Sequence, residues 1–187
     1  MKMAYVITRG DAVGGASIHV RDMARAMLDR GHDVMVFIGG EGAVTEQLAR
    51  AGVPYRPLAH LRREVRPWRD LRALQELIAA LGAFGPRLVS THTAKAGWLG
   101  RAACTRLGIP AIHTPHGWPV ARRLPGPCAL LFAAAERMAA RWARAVVCVC
   151  EEERRVALAH GFAAPSQVRV VYNGVRDVPE DLRARPE

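Results

Sequence analysis

The sequence predicts an α/β fold in which a doubly wound parallel sheet of about seven strands, Rossmann-like in its layout, carries helices on both faces. Short apolar runs alternate with longer amphipathic stretches along the whole chain, as in repeated strand and helix units. The predicted strands are almost wholly apolar, which is typical of strands that helices cover on both faces. The chain has 187 residues, and 50% of them are hydrophobic, which is enough for one large domain.

The first half of the chain contains three predicted strands, each followed by a helix. In order, these elements are strand 3–8, helix 16–30, strand 33–40, helix 44–51, strand 53–58 and helix 68–82. Apolar runs such as MAYVIT and DVMVFIGG mark the strands. In the first helix Val20, Met23 and Met27 recur on one face, and Gly31 follows as a C-cap.

The second half contains four further strands. In order, its elements are strand 88–92, helix 94–107, strand 110–114, helix 129–143, strand 145–150, helix 151–160 and strand 168–174. Gly108 and Gly161 end two of the helices, and a loop rich in proline and glycine precedes helix 129–143. Residues 1–175 are therefore predicted to form one domain. Residues 176–187 have no apolar periodicity and are predicted to be a loose linker or tail.

The composition excludes several classes of protein. The formal charge of +10 is almost entirely arginine and is not concentrated in any block, which argues against a nucleic-acid-binding tail. A positive surface still attracts anions such as nucleotides, phosphorylated sugars or acidic lipid headgroups. The N-terminus lacks the pattern of a signal peptide, and charged residues interrupt the apolar stretches, so we expect a cytoplasmic protein.

Parallel sheets bind their ligands beyond the carboxyl ends of the strands, so the candidate site residues are those that follow each predicted strand. Gly14 and Gly15 follow the first strand and directly precede a helix, whose first-turn amides are free to bind a phosphate. The alternative is a tight turn that merely needs glycine. His92 ends the fourth strand and Lys95 begins the next helix, where the helix dipole disfavours a cation unless an anion lies nearby. A chance lysine and a strand-end histidine with satisfied hydrogen bonds remain alternatives.

The stretch IPAIHTPHGW contains two histidines with different predicted roles. Strand alternation turns His113 into a sheet face, where we interpret it as structural. His116 lies beyond the strand end, and the following Gly117 lets a ligand approach closely, so His116 is the candidate for substrate contact. A zinc site of His92, His113 and His116 is conceivable but has no carboxylate or cysteine to complete it, and we expect no metal.

Four segments together resemble a known family. GGASIHVRDMARAMLDRGHDV, VSTHTAKAGWLGRAACTRLGIPAIHTPHGW, VCVCEEERRVALAHGF and VRVVYNGV are similar, in this order, to the N-terminal half of family 4 glycosyltransferases. Those enzymes are retaining transferases with two facing Rossmann-like domains, the GT-B fold. The resemblance implies that a nucleotide-sugar is the donor, that no metal cofactor is needed, and that a glycan or lipid-linked molecule of surface polysaccharide or lipopolysaccharide synthesis is the acceptor.

The resemblance also implies roles for individual residues. Gly14 and Gly15 match the donor side, which Gly117 is expected to join, and His116 matches a histidine that steadies charge developing at the anomeric carbon. His92 and Lys95 match an acceptor-side segment, and Glu151 matches a family glutamate, although Cys150 stands before it where the family usually has serine. Asp11, with Glu151, is a carboxylate near the presumed cleft, and we expect it to contact acceptor hydroxyls.

The resemblance ends soon after Asn173 and Gly174, so the C-terminal domain that binds the nucleotide-sugar is expected to be absent from this chain. Since transfer needs both walls of the cleft, we expect the chain alone to transfer negligible sugar. The alternative is a non-catalytic module that binds a nucleotide or phosphate. A dinucleotide-binding domain is disfavoured because no G-x-G-x-x-G follows the first strand.

An arginine-rich stretch suggests where the protein meets its acceptor. Arg62, Arg63 and Arg66 precede an amphipathic helix that carries further arginines. Such a patch can rest on an anionic membrane, which would make the protein peripheral at the inner face of the membrane. The alternative is a solvated face in a protein that uses arginine throughout.

Overall fold

The sheet has seven parallel strands in the order β3-β2-β1-β4-β5-β6-β7, in a computed structural model that describes residues 1–118 and 126–174. The strands are β1 (Lys2–Ile7), β2 (Asp33–Gly39), β3 (Tyr55–Leu58), β4 (Leu88–His92), β5 (Ala111–Thr114), β6 (Ala145–Cys148) and β7 (Val168–Val170). The helices are α1 (Gly15–Asp29), α2 (Ala43–Arg50), α3 (Pro67–Phe84), α4 (Ala94–Leu107), α5 (Gly126–Ala140) and α6 (Glu151–Ala159). The predicted fold class is confirmed.

Alternation along β1 shows why helices cover both faces of the sheet. Tyr5 and Ile7 belong to a buried cluster that includes residues of α1 and α2. Ala4 and Val6 belong to a second cluster, which includes residues of α3 and α4. Successive residues of a strand point to opposite faces, so an all-apolar strand requires an apolar helix layer on each side.

The strand order reverses between β1 and β4, and this reversal positions the site. From β1 the chain winds outward through β2 and β3, then returns to place β4 on the other side of β1. The helices on the two sides of such a switch point diverge, which opens a crevice at the carboxyl ends of the two strands.

A buried ion pair holds α5 against α4. The Arg101 guanidinium donates to the Glu136 carboxylate at 2.6 Å, and both side chains are fully buried. The Trp98 indole nitrogen donates to the other oxygen of Glu136, also at 2.6 Å. This contact fixes α5 at the edge of the crevice, next to Trp98.

Several predicted boundaries were wrong. The helix predicted over 129–143 spans Gly126–Ala140, because proline is tolerated in the first turn of a helix, where its missing N–H would be unpaired anyway. The strand predicted over 145–150 ends at Cys148, since Cys150 is already the N-cap of α6. The strand predicted over 168–174 ends at Val170, where its pairing with β6 also ends. The predicted tail, 176–187, lies outside the described residues.

None of the helices that the structure describes is both long and apolar enough to cross a membrane.

Candidate functional site

A cavity of about 600 Å³ lies in the crevice at the carboxyl ends of β1 and β4. Its walls come from the end of β1, the first turns of α1 and α4, the loop after β5, the stretch before α3, and Phe132 of α5. Gly14, Lys95, His116 and Gly117, all predicted site residues, line it. A second cavity, of about 550 Å³, lies near the start of β5 at the opposite edge and contains none of them. The first cavity is therefore the candidate site.

The glycine loop presents the start of α1 to this cavity. The Gly14 amide donates to the Ser17 hydroxyl at 2.9 Å, and that hydroxyl donates back to the Gly14 carbonyl at 2.9 Å. Gly14 is extended, with φ −162°, and a Cβ added at Gly14 or Gly15 would meet nothing within 4 Å. The chain's own packing therefore does not require glycine there, which disfavours the tight-turn interpretation. The open space beside the first-turn amides has the properties of an anion site.

Three histidines meet beside the glycine loop, and we call them the histidine cluster: His19, His92 and His116. The ring of His116 lies 5.2 Å from that of His92 and 5.1 Å from that of His19, measured between centroids. His116 has φ 56°, in the left-handed region that non-glycine residues seldom adopt. The backbone at His116 is therefore in an unfavourable conformation, as is common where a residue is held at a functional site.

His92 is buried, and both of its ring nitrogens have partners. Its Nε2 lies 2.9 Å from the Ser90 hydroxyl, and its Nδ1 lies 3.0 Å from Nε2 of His116. A neutral imidazole donates through one nitrogen and accepts through the other, so the direction of one of these bonds fixes the direction of the next. The tautomer of His116 is therefore coupled to the Ser90 hydroxyl through His92.

All three rings of the histidine cluster are held in the neutral form. Burial lowers the pKa of His116 to about 4, and the neighbouring His19 adds to this effect. Burial likewise lowers the pKa of His92 well below its usual value and, more weakly, that of His19. At neutral pH the cluster offers uncharged donors and acceptors to a ligand.

Lys95 has its anionic partner within the chain. Its ammonium lies 2.5 Å from the Asp70 carboxylate and contacts the backbone carbonyl of Glu64, and the residue is only 7% exposed. This pairing explains how the first turn of α4 accommodates a cation. It also ties α4 to α3 and to the stretch before α3, along one wall of the cavity.

Comparison with known proteins identifies the family. The model of Glycosyltransferase Family 4 matches residues 13–177. The chain belongs to this glycosyltransferase family. A curated relative from Escherichia coli, UDP-Gal:alpha-D-GlcNAc-diphosphoundecaprenol alpha-1,3-galactosyltransferase, is 28% identical over 108 residues, which are 57% of this chain and 28% of that protein.

Two solved structures share the fold. Anabaena Alr3699/HepE in complex with UDP and glucose superposes with a TM-score of 0.75 at 21% identity, covering 94% of this chain and 45% of that one. The apo form of the lipopolysaccharide outer core galactosyltransferase WaaB gives a TM-score of 0.73 at 14% identity, covering 98% and 50%. The chain thus spans half or less of the length of these three proteins.

The remaining predicted site residues of this family 4 chain lie away from the cavity lining. Asp11 is exposed and accepts two hydrogen bonds from Arg9, both at 2.9 Å, which lower the pKa of its carboxyl group. Glu151 is exposed in the first turn of α6, 3.2 Å from Arg154. The acceptor roles of Asp11, His92, Lys95 and Glu151 stay predictions.

Of the three predicted membrane-contact arginines, Arg63 lines the main cavity, Arg62 lies against Gly40 beside a smaller cavity of about 240 Å³, and Arg66 precedes α3.

His113 lies in a sheet face, as predicted. It is fully buried, and its Nδ1 lies 3.2 Å from the Thr91 carbonyl and 3.1 Å from the Thr91 hydroxyl. Since a carbonyl only accepts, Nδ1 carries the proton. His113 therefore does not take part in the histidine cluster that its sequence neighbour His116 joins.

Sequence reasoning missed His19, Trp98 and Phe132. His19 lies in the first turns of α1, four residues after Gly15, which was a usable signal for a ring near the glycine loop. Trp98 and Phe132 line the cavity and pack against each other, with centroids 5.3 Å apart. Only the packing of α5 on α4 brings these two together, and no spacing in the sequence indicates it.

Proposed function

We propose that this chain is the N-terminal, acceptor-side half of a retaining glycosyltransferase that moves a sugar from a nucleotide-sugar to a glycan or lipid-linked acceptor. The observation that carries the proposal is that the first turn of α1 and His116 line one cavity at the switch point of the sheet. An anion site beside a neutral hydrogen-bonding ring suits a diphosphate joined to a sugar. Membership of family 4 supports the same reaction class.

Gly14 and Gly117 line the donor side of the cavity, and Gly15, which begins α1, lies next to Gly14 outside the lining. The amides of the first turn of α1 stabilise negative charge on the diphosphate, and the absence of a Cβ at the glycines lets it approach the backbone. His116 hydrogen-bonds a sugar hydroxyl and stabilises the charge that develops at the anomeric carbon. Its neighbour His92 orients that ring through the 3.0 Å contact.

The acceptor belongs to surface polysaccharide or lipopolysaccharide synthesis in this proposal. The named activity of the Escherichia coli relative uses a diphosphoundecaprenol-linked sugar, and WaaB is named for the lipopolysaccharide outer core. Lys95 lies in the cavity wall, so it is the best placed of the four predicted acceptor residues, whereas Asp11, His92 and Glu151 lie outside the lining.

The transfer needs no metal cofactor in this proposal, since helix amides and arginines supply the positive charge around the diphosphate. A transferase of this kind needs a second wall for the nucleotide, so the chain alone transfers negligible sugar. Because the reaction needs no metal in this proposal, we expect chelators not to lower the rate of the full-length enzyme.

Sugar transfer by the full reading frame that contains this chain tests the proposal. The assay follows label from a panel of UDP-sugars to undecaprenyl-diphosphate-linked and lipopolysaccharide acceptors. His116→Ala should lower kcat at least tenfold by removing an interaction made in the transition state. His32→Ala is the matched control, because His32 lies before β2 at the opposite edge of the sheet. Nucleotide binding without transfer to any acceptor would favour the non-catalytic module instead.

The rim of the cavity supports a peripheral membrane position at the cytoplasmic face. Val65 lines the cavity yet is 72% exposed, and Trp68, on the first turn of α3, is 80% exposed. On α5, Leu130 and Leu131 are each 73% exposed and directly precede Phe132 of the cavity wall. Apolar side chains among the arginines of this region suit an anionic bilayer, on which lipid-linked acceptors are anchored.

Vesicle co-sedimentation of the chain tests this membrane contact. We expect binding to vesicles that contain phosphatidylglycerol, weak binding to pure phosphatidylcholine, and a decrease with salt. Trp68→Ala and the triple replacement of Arg62, Arg63 and Arg66 by alanine should each weaken binding. A control that replaces Arg30, Arg50 and Arg106 removes the same charge elsewhere. An equal loss of vesicle binding in this control would show that binding depends only on the net charge of the chain.

A further inference from the structure

The histidine cluster has the spacing of a tripod of metal ligands. One ring nitrogen from each of His19, His92 and His116 lies within 4.8 Å of the other two. The ring centroids are 5.1, 5.2 and 5.6 Å apart. Bonds of about 2.0–2.1 Å to a tetrahedral zinc ion put ligand nitrogens about 3.3 Å apart and ring centres about 5.2 Å apart. The ring centres therefore have nearly the spacing expected around one ion, while the ligand nitrogens, within 4.8 Å of one another, need a small closing movement to reach it.

We propose that His19, His92 and His116 form a binding site for a divalent transition-metal ion of the zinc class. The ion takes the place of the hydrogen bond between His92 Nδ1 and His116 Nε2, whose 3.0 Å separation is close to the spacing that two zinc ligands need. His19 completes the tripod from α1 by a small side-chain movement.

The surroundings of His92 favour ligation through Nδ1. Its Nε2 lies 2.9 Å from the Ser90 hydroxyl, which can accept the Nε2 proton and so leave the Nδ1 lone pair free. A ligating histidine usually donates its other N–H to such a partner, which fixes the ring and its tautomer. Tyr5 stacks on His92, at 5.8 Å between centroids, and limits the rotation of its ring.

The ligand set selects the class of ion. Imidazole nitrogen suits zinc, copper, nickel and cobalt, whereas magnesium, calcium and manganese prefer oxygen ligands. Among the described residues, no carboxylate or cysteine joins the three histidines. Three nitrogens leave a fourth position for water or a phosphate oxygen.

The ion would regulate transfer by occupying His116. An imidazole held by the ion cannot turn toward the sugar, so zinc would inhibit the enzyme at concentrations that saturate the site. This consequence rests on the proposed role of His116 in transfer. The site itself does not, because ion binding requires only the three rings.

Metal titration of this chain tests the site without any transfer assay. After chelator treatment, Zn²⁺ is titrated by calorimetry, and Co²⁺ by the visible absorption that tetrahedral coordination gives. We expect one ion per chain and no saturable uptake of Mg²⁺. His19→Gln and His116→Gln should each weaken Zn²⁺ binding at least tenfold. His32→Gln, a histidine at the opposite edge of the sheet, should leave it unchanged.

Two results would overturn the site. One is the absence of saturable Zn²⁺ uptake below about 0.1 mM, a weak affinity on the scale of specific binding. The other is uptake that His19→Gln and His116→Gln leave unaltered, which would place the ion elsewhere. Thermal unfolding of both variants confirms that they are folded. Failure here leaves the transferase proposal intact, while zinc binding combined with normal turnover of His116→Ala would remove only the regulatory consequence.

Discussion

Replacing Glu136 by glutamine should destabilise the chain strongly, because it leaves a buried guanidinium without its counter-ion. Arg101 and Glu136 are both 0% exposed, and the Glu136 carboxylate accepts from Arg101 and from Trp98 at 2.6 Å each. No other carboxylate among the described residues pairs with Arg101. Glutamine keeps the shape and one acceptor oxygen but removes the negative charge.

Burial of both partners sets the size of the effect. Removing one partner of a buried ion pair typically costs about 3–5 kcal/mol, since the remaining charge stays desolvated. Removing both charges, with Arg101→Met and Glu136→Leu, should cost less than either single change. Two losses remain in the double variant: the 2.8 Å hydrogen bond from Arg101 Nε to the Gly97 carbonyl, and the acceptor of the buried Trp98 indole N–H, which costs about 1–3 kcal/mol. The double variant should therefore be more stable than Glu136→Gln.

Urea unfolding, followed by circular dichroism, measures these free energies. The matched control is Glu46→Gln, which removes an exposed pair with Arg50, where the two side chains are 65% and 78% exposed. The control should change the free energy of unfolding by less than about 1 kcal/mol. If Glu136→Gln costs no more than the control, or if the double variant is the less stable of the two, the buried pair does not hold α5 as argued.

Three further predictions concern the stability of the chain. In metal-free buffer, the pKa of about 4 for His116, against 6.5 in the unfolded chain, means that the unfolded chain takes up a proton first as pH falls. Between pH 7 and pH 5 the free energy of unfolding should therefore fall by about 2 kcal/mol, because His116 is protonated in the unfolded chain but not in the folded one. His116→Gln should flatten this slope in urea titrations, and an unchanged slope would contradict the assignment. Gly97→Ala should cost about 1–3 kcal/mol, because its Cβ would overlap the ring of His113, with Nδ1 at 2.9 Å. Gly82→Ala lies in an exposed turn of α3, where a Cβ would meet only Leu107, at 3.8 Å, and should instead stabilise the chain by about 0.5–1 kcal/mol. If thermal unfolding shows that both glycine variants shift the unfolding temperature in the same direction, the steric argument is refuted.

The fold was predictable because its signals are local. Each buried strand is a short apolar run, and the helices carry an apolar stripe of helical period, so the alternation of elements could be read directly from the sequence. The exact ends of the strands and helices were harder to predict from these local patterns. The end of β7 at Val170 depends on where its neighbour β6 stops. The start of α5 at Gly126 was missed because Gly-Pro is a common loop signal, although proline is also tolerated in the first turn of a helix.

The candidate site was predictable only where one segment carried the signal. The glycine loop and His116 each stand next to a strand end, and the topology rule placed both at the same edge of the sheet. The histidine cluster needed three segments at once: α1, β4 and the loop after β5. The sequence raised His113 as the third ring of a zinc site that we did not expect, because strand alternation turns His113 into a sheet face. The structure places His113 against Gly97 of α4, in agreement with that alternation, and puts His19 of α1 beside His92 and His116.

That exchange of one histidine for another also changes the chemistry of the site. His113 is fixed by Thr91 and its ring is closely packed against Gly97, so it is closed to any ligand. His19 is half-buried on a helix that begins at the proposed anion site, so the same element presents amides to the diphosphate and an imidazole to the cluster. A movement of α1 would therefore alter both at once. Donor binding and zinc binding should then be coupled, and by thermodynamic linkage each must change the affinity of the other by the same factor. Calorimetric titration of Zn²⁺ with and without saturating UDP measures this factor once the free Zn²⁺ concentration is corrected for the complex that Zn²⁺ forms with UDP in solution. A corrected value of one would show that the two sites act independently.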